Sequence, residues 1–113
     1  MLRAILTLTF LLVVPALAED SNKIPTHRSI QVQVGQSIIV NGFRGACGAR
    51  PKNVDPNRTR ATRLGVLSNG KWGVVQSRTC GGWTPAVEVI FTAQKKGRET
   101  IEVAGTKIKV AVR

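Results

Sequence analysis

From Ser29 to the C-terminus the chain alternates apolar and polar residues with a period of two, and no stretch carries the 3.6-residue period of an amphipathic helix. Side chains on a strand point alternately to opposite faces, so runs of this kind bury one face and offer the other to water. The runs fall at residues 31–34, 37–40, 60–67, 72–78, 87–92, 100–104 and 106–112, rich in Val, Ile and Thr and broken by Gly, Asn and Pro. Gly35 separates the first two and Gly105 the last two. Asn69-Gly70 stands between the third and fourth, where that dipeptide predicts a hairpin turn. Val34, Val40, Val89, Phe91, Ile101 and Val110 are expected to share one core. Glu88, Glu102, Lys107 and Lys109 sit at the alternate positions and are expected in solvent; on an edge strand the two lysines would also discourage pairing with another chain. Seven short strands in a chain of this size predict an all-β fold of two packed sheets.

The first eighteen residues have a different logic. Arg3 supplies a short positive region, residues 5–14 an apolar run, and Pro15-Ala16-Leu17-Ala18 small residues at the −3 and −1 positions, which together read as a signal peptide cleaved before Glu19. The run falls short of the roughly 20 apolar residues of a membrane helix, and no later segment approaches that length. Residues 19–28 are polar, contain Pro25 and read as a flexible lead; residues 29–113 are expected to form the domain. Cleavage leaves 95 of the 113 residues, enough for one domain. Export predicts a periplasmic or secreted protein, and in an oxidising compartment the only two cysteines, Cys47 and Cys80, are expected to pair.

In an immunoglobulin-like sandwich the second, fourth and sixth connections gather at one pole. Cys47 falls in the second connection, residues 41–59, and Cys80 in the fourth, so a seven-stranded immunoglobulin-like β-sandwich puts both where one disulfide can join them. Residues 32–38 (Val-Gln-Val-Gly-Gln-Ser-Ile) and 91–97 (Phe-Thr-Ala-Gln-Lys-Lys-Gly), followed by Thr100-Ile101, resemble the strand-and-turn phrasing of bacterial immunoglobulin-like domains. The same phrasing resembles the chagasin family of cysteine-protease inhibitors, small sandwiches that present those three loops to a protease. That resemblance implies an inhibitor, but only Gly81-Gly82 matches the family's loop motifs. The second connection reads Gly45-Ala46-Cys47-Gly48-Ala49-Arg50-Pro51, and the last turn is a short Ala104-Gly105-Thr106.

Seventeen Lys and Arg against six Asp and Glu give the chain a formal charge of +11, and loss of Arg3 with the leader leaves sixteen against six, +10. One histidine, His27, and few carboxylates make an enzyme the weakest reading, and no catalytic residue, metal site or cofactor is expected. Nor is there a Gly-rich phosphate loop, a helix for a major groove or an aromatic-rich sheet for single-stranded nucleic acid. Binding is most arguable at the cystine pole, where Arg44, Arg50, Lys52, Arg58 and Arg60 belong to the second connection or its exit, Arg78 leads into the fourth, and only Asp55 opposes them. Guanidinium groups give planar, bidentate hydrogen bonds to carboxylate, phosphate or sulfate. Trp83 suits stacking on a ligand or a lid over the disulfide, and Trp72 is expected in the core. The expected function is an exported, non-enzymatic binding module for an anionic glycan, a lipid headgroup or an acidic protein. The alternatives are an inhibitor of a protease or other hydrolase, and a structural envelope protein without a defined ligand.

Overall fold

A computed structural model describes residues 22–55 and 57–113; the expected signal peptide lies outside them. Its seven strands are β1 (Ser29–Val32), β2 (Ser37–Arg44), β3 (Arg60–Ala61), β4 (Gly65–Ser77), β5 (Gly82–Ala93), β6 (Gly97–Val103) and β7 (Thr106–Val112). They form a three-stranded sheet ordered β1-β7-β6 and a four-stranded sheet ordered β2-β5-β4-β3, the all-β sandwich that the alternation predicts. β1 runs parallel to β7, while the other neighbours pair antiparallel. Among the described residues no helix is long and apolar enough to cross a membrane.

Phe91, Val40 and Ile108 are fully buried at the centre of the core, which joins Leu67, Val89 and Phe91 of one sheet to Ile101, Ile108 and Val110 of the other. Of the six residues expected there, Val34 is the exception. It lies beyond the end of β1 and is 46 % exposed. Val40 is the extra residue of a bulge, since Ile39 pairs with Ile90 and Asn41 with Val89. The bulge brings Asn41 to the sheet interface, where its side-chain amide donates to the Val103 carbonyl at 3.1 Å and its oxygen accepts from the Gly42 amide at 2.7 Å. A buried amide satisfied on both sides ties the sheets together at this end.

The expected Asn69-Gly70 hairpin does not form. Residues on both sides of it pair with the same partner, Leu67 with Phe91 and Trp72 with Val87, so the two runs are one long strand, β4, interrupted by a bulge at 70 and 71. Glu88 explains the choice. Its carboxylate accepts the Lys71 amide at 2.9 Å and the Asn22 side-chain amide at 3.1 Å, and a Cβ on Gly70 would come within 2.5 Å of it. Glu88 is therefore buried, contrary to the solvated position expected for it. The lysines at 107 and 109 do point to solvent, but β7 is the middle strand of its sheet and not an edge.

Residues 22–27, expected to belong to a flexible lead, lie against the four-stranded sheet. The Val74 amide donates to the Asn22 carbonyl and the Ile24 amide to the Val74 carbonyl, a parallel bridge on β4; the His27 amide then donates to the Val40 carbonyl of β2. Between these anchors Ile24 packs with Val75 and Ala86 in a second small cluster. The sequence makes room for it, because a Cβ on Gly42 or Gly73 would crowd Ile24. This cover is what places the Glu88 carboxylate inside the protein.

β6 ends its sheet, and the chain before β4 closes over it. The Glu99 carboxylate accepts the Leu64 amide at 2.8 Å, the Arg63 amide at 3.2 Å and the Thr62 hydroxyl at 2.9 Å. The Arg60 guanidinium donates to the Glu102 carbonyl and that of Arg63 to the Arg98 carbonyl. Such contacts occupy carbonyl groups that an edge strand otherwise leaves open to another chain.

Candidate functional site: a basic furrow beside the cystine

β4 and β5 are the longest strands, and the shared core covers only the half that carries Leu67, Val89, Phe91 and Ala93. Their remainder runs on to a tight turn at residues 78–81, where the Gly81 amide donates to the Arg78 carbonyl. The fourth connection is thus shorter than expected, since residues 82–85 already belong to β5. The second connection, residues 45–59, stays long, and Cys47 and Cys80 are joined with their Cα atoms 5.4 Å apart. The Gly48 amide adds a hydrogen bond to the Thr84 hydroxyl at 2.9 Å. Loop and hairpin tip therefore share one end of the molecule, as the pairing of the cysteines requires.

Three adjoining grooves run along this region. The first is lined by Phe43, Leu67, Val89 and Val103, with Arg58 and Arg60 also in its wall. The second shares Phe43 and Ala104 with the first and adds Arg44, Thr26 and Val75. The third shares Thr26, Gln76 and Ser77 with the second and ends at Arg78 and Trp83. Each groove shares lining residues with the next, and among the described residues the furrow they make up is walled by four arginines and by no carboxylate. Two of the few acids are engaged elsewhere: Glu88 holds a backbone amide inside the fold, and Glu99 holds two at the turn before β4.

The residues singled out from sequence divide accordingly. Arg44, Arg58 and Arg78 lie along the furrow, with Arg44 half-buried and donating to the Gly45 carbonyl. Arg50 is placed differently, its guanidinium 4.6 Å from the centre of the Trp72 ring, so that Trp72 is half-buried beneath a cation and not part of the shared core. Lys52 is exposed on the same loop. Trp83 is 50 % exposed, with the Lys23 ammonium 5.2 Å from its ring centre, and is an open surface, not a buried lid. Lys23 and Phe43 escaped the sequence reading. Lys23 lay in the supposed flexible lead, and the visible sign of Phe43 was a lone aromatic next to the Gly- and Arg-rich connection.

Among the described residues no group of three His, Cys, Asp or Glu side chains could hold a metal ion. No family model, no curated protein and no solved structure matches the chain. A β-sandwich hosts many unrelated activities, so the chemistry of the furrow carries the functional argument.

Proposed function

We propose that the protein is an exported binding module that takes an extended anionic partner into the basic furrow. One observation carries this reading: Arg44, Arg58, Arg60 and Arg78 wall adjoining grooves that, among the described residues, have no acidic side chain in their lining. Charges of one sign along a concave surface focus the field and raise the local concentration of an opposite charge. Trp83 at the far end offers a flat ring against which a sugar or other planar group can stack. The Cys47–Cys80 disulfide supports an oxidising, exported setting.

A second basic surface gives the reading something to be measured against. Arg98, Lys109 and Arg113 line a groove on the three-stranded sheet, but Glu99 lines it too. Titration of the oxidised mature domain with a heparin oligosaccharide, followed by amide chemical shifts, is expected to perturb Arg44, Ser77, Arg78 and Trp83. Binding should weaken steeply as salt rises, since exposed charges are screened beyond ~8 Å at physiological ionic strength. Shifts centred on Arg98, Lys109 and Arg113 would overturn the assignment. Vesicles of anionic lipid make the parallel arm: binding to vesicles with no response to heparin would identify a lipid headgroup as the partner.

A further inference from the structure

The end of the furrow beneath Phe43 differs from the rest. Its floor is Leu67, Val89 and Val103, all buried members of the core, and Phe43 itself is 43 % exposed although its partner across the sheet, Val87, is 2 % exposed. The cause is the mismatch of the two sheets. β6 turns back into β7 at Ala104-Gly105, whose positive φ angles of 50° and 80° fit a two-residue hairpin, whereas β4 and β5 continue past that point. The sandwich gapes there, and about 250 Å³ stays open between an apolar floor and a rim that includes Arg58, Thr59 and Arg60. Exposed aromatic surface over an open apolar groove lacks a partner, and the arginines on its rim define the charge that partner carries.

We propose that this groove binds a medium-chain monocarboxylate, with its hydrocarbon chain on Phe43, Leu67, Val89 and Val103 and its carboxylate on Arg58. At roughly 30 Å³ for each water-sized parcel the space holds about eight such units, which matches a chain of about eight carbons and lies just under the ~300 Å³ at which drug-sized ligand sites begin. Arg58 is exposed at the rim, and Arg60, though it donates to the Glu102 carbonyl at 2.9 Å, keeps further N–H groups for a second contact. The carboxylate thus gains a charge-assisted bond where the apolar floor ends. The proposal deepens the anion-binding reading, because Arg58 belongs to both sites.

Octanoate is the probe, with octanol as its neutral counterpart. Methyl resonances of Leu67, Val89 and Val103 are expected to shift saturably, with a Kd near or below about 1 mM, a range that ligand efficiency allows for a ligand of this size. Arg58→Gln should weaken octanoate about tenfold, and Arg58→Lys should recover part of the loss. Octanol should bind more weakly and ignore both substitutions. Shifts outside the groove, an absence of saturation, or equal affinity for octanoate and octanol would overturn the proposal. So would a dimer dispersed by Phe43→Ala in sedimentation, since a second copy of the chain would then be the occupant. Heparin separates the two readings: a furrow that binds heparin but not octanoate removes this proposal alone, whereas octanoate binding without heparin binding removes the extended partner alone.

Discussion

Gly73→Ala is a one-carbon change on β4 whose effect depends on Asn22 and Ile24, far earlier in the chain. A Cβ at this site would lie 2.2 Å from the Asn22 carbonyl oxygen and 3.0 Å from Ile24, so the parallel bridge between Lys23 and Val74 has to open. What is lost is two backbone hydrogen bonds, about 1 kcal/mol each, and the burial of Ile24, about 2 kcal/mol. Against this gain of about 4 kcal/mol stands the ordering of residues 22–24, at about 1 kcal/mol each. The net cost is therefore about 1 kcal/mol, well below the 2 to 5 kcal/mol of truncating a fully packed core isoleucine. Denaturant unfolding should show that small loss, and Ile24→Ala should show a similar one. Hydrogen exchange is the sharper assay: the Ile24 and Val74 amides should lose protection while those of Phe91 and Ile108 keep theirs. Retained protection at Ile24 in Gly73→Ala would refute the docking of this segment.

Cys47→Ser with Cys80→Ser opens a 34-residue loop and should cost about 3 to 4 kcal/mol by the chain-entropy relation while leaving the β spectrum intact; two reactive thiols in the denatured, unreduced native protein would show that the bond never formed. Phe91→Ala, at a fully buried ring in contact range of Gly65, should cost about 3 to 5 kcal/mol by denaturant titration, and a loss below 1 kcal/mol would place the core elsewhere. Glu99→Gln keeps the shape of the side chain, but with its oxygen accepting from Leu64 and Thr62 its NH2 group is set against the Arg63 amide, so about 1 to 2 kcal/mol should be lost. Unchanged stability would mean that the carboxylate does not hold that turn.

Strand positions were legible because burial on one face of a strand is a local, period-two property, and Ile108, Val110 and Val112 against Lys107 and Lys109 show it plainly. Pairing is not local. Asn69-Gly70 carries the sequence signature of a turn, yet both runs beside it are held by a single partner, β5, and the glycine is needed to clear the Glu88 carboxylate. Glu88 was misplaced for a related reason: alternation assigns it to the face away from the core but does not say that residues 22–24 cover that face. The polar composition of the lead hid the one apolar side chain, Ile24, that docks it. At the candidate site the joining of loop and hairpin tip was legible from the two cysteines. The furrow was not, because it depends on β4 and β5 outrunning the shorter sheet and on the turn at Ala104.

In the proposed function a site, and not the net charge, binds the anionic partner. Arg58→Ala with Arg78→Ala removes two charges from the furrow; Lys95→Ala with Lys96→Ala removes two from the turn before β6, at the opposite end of β5. Heparin affinity measured on both double variants at one salt concentration should fall for the first by more than ~1 kcal/mol beyond the second, in line with hydrogen bonds to charged groups. Equal losses would contradict the account, because the two pairs change the overall charge by the same amount.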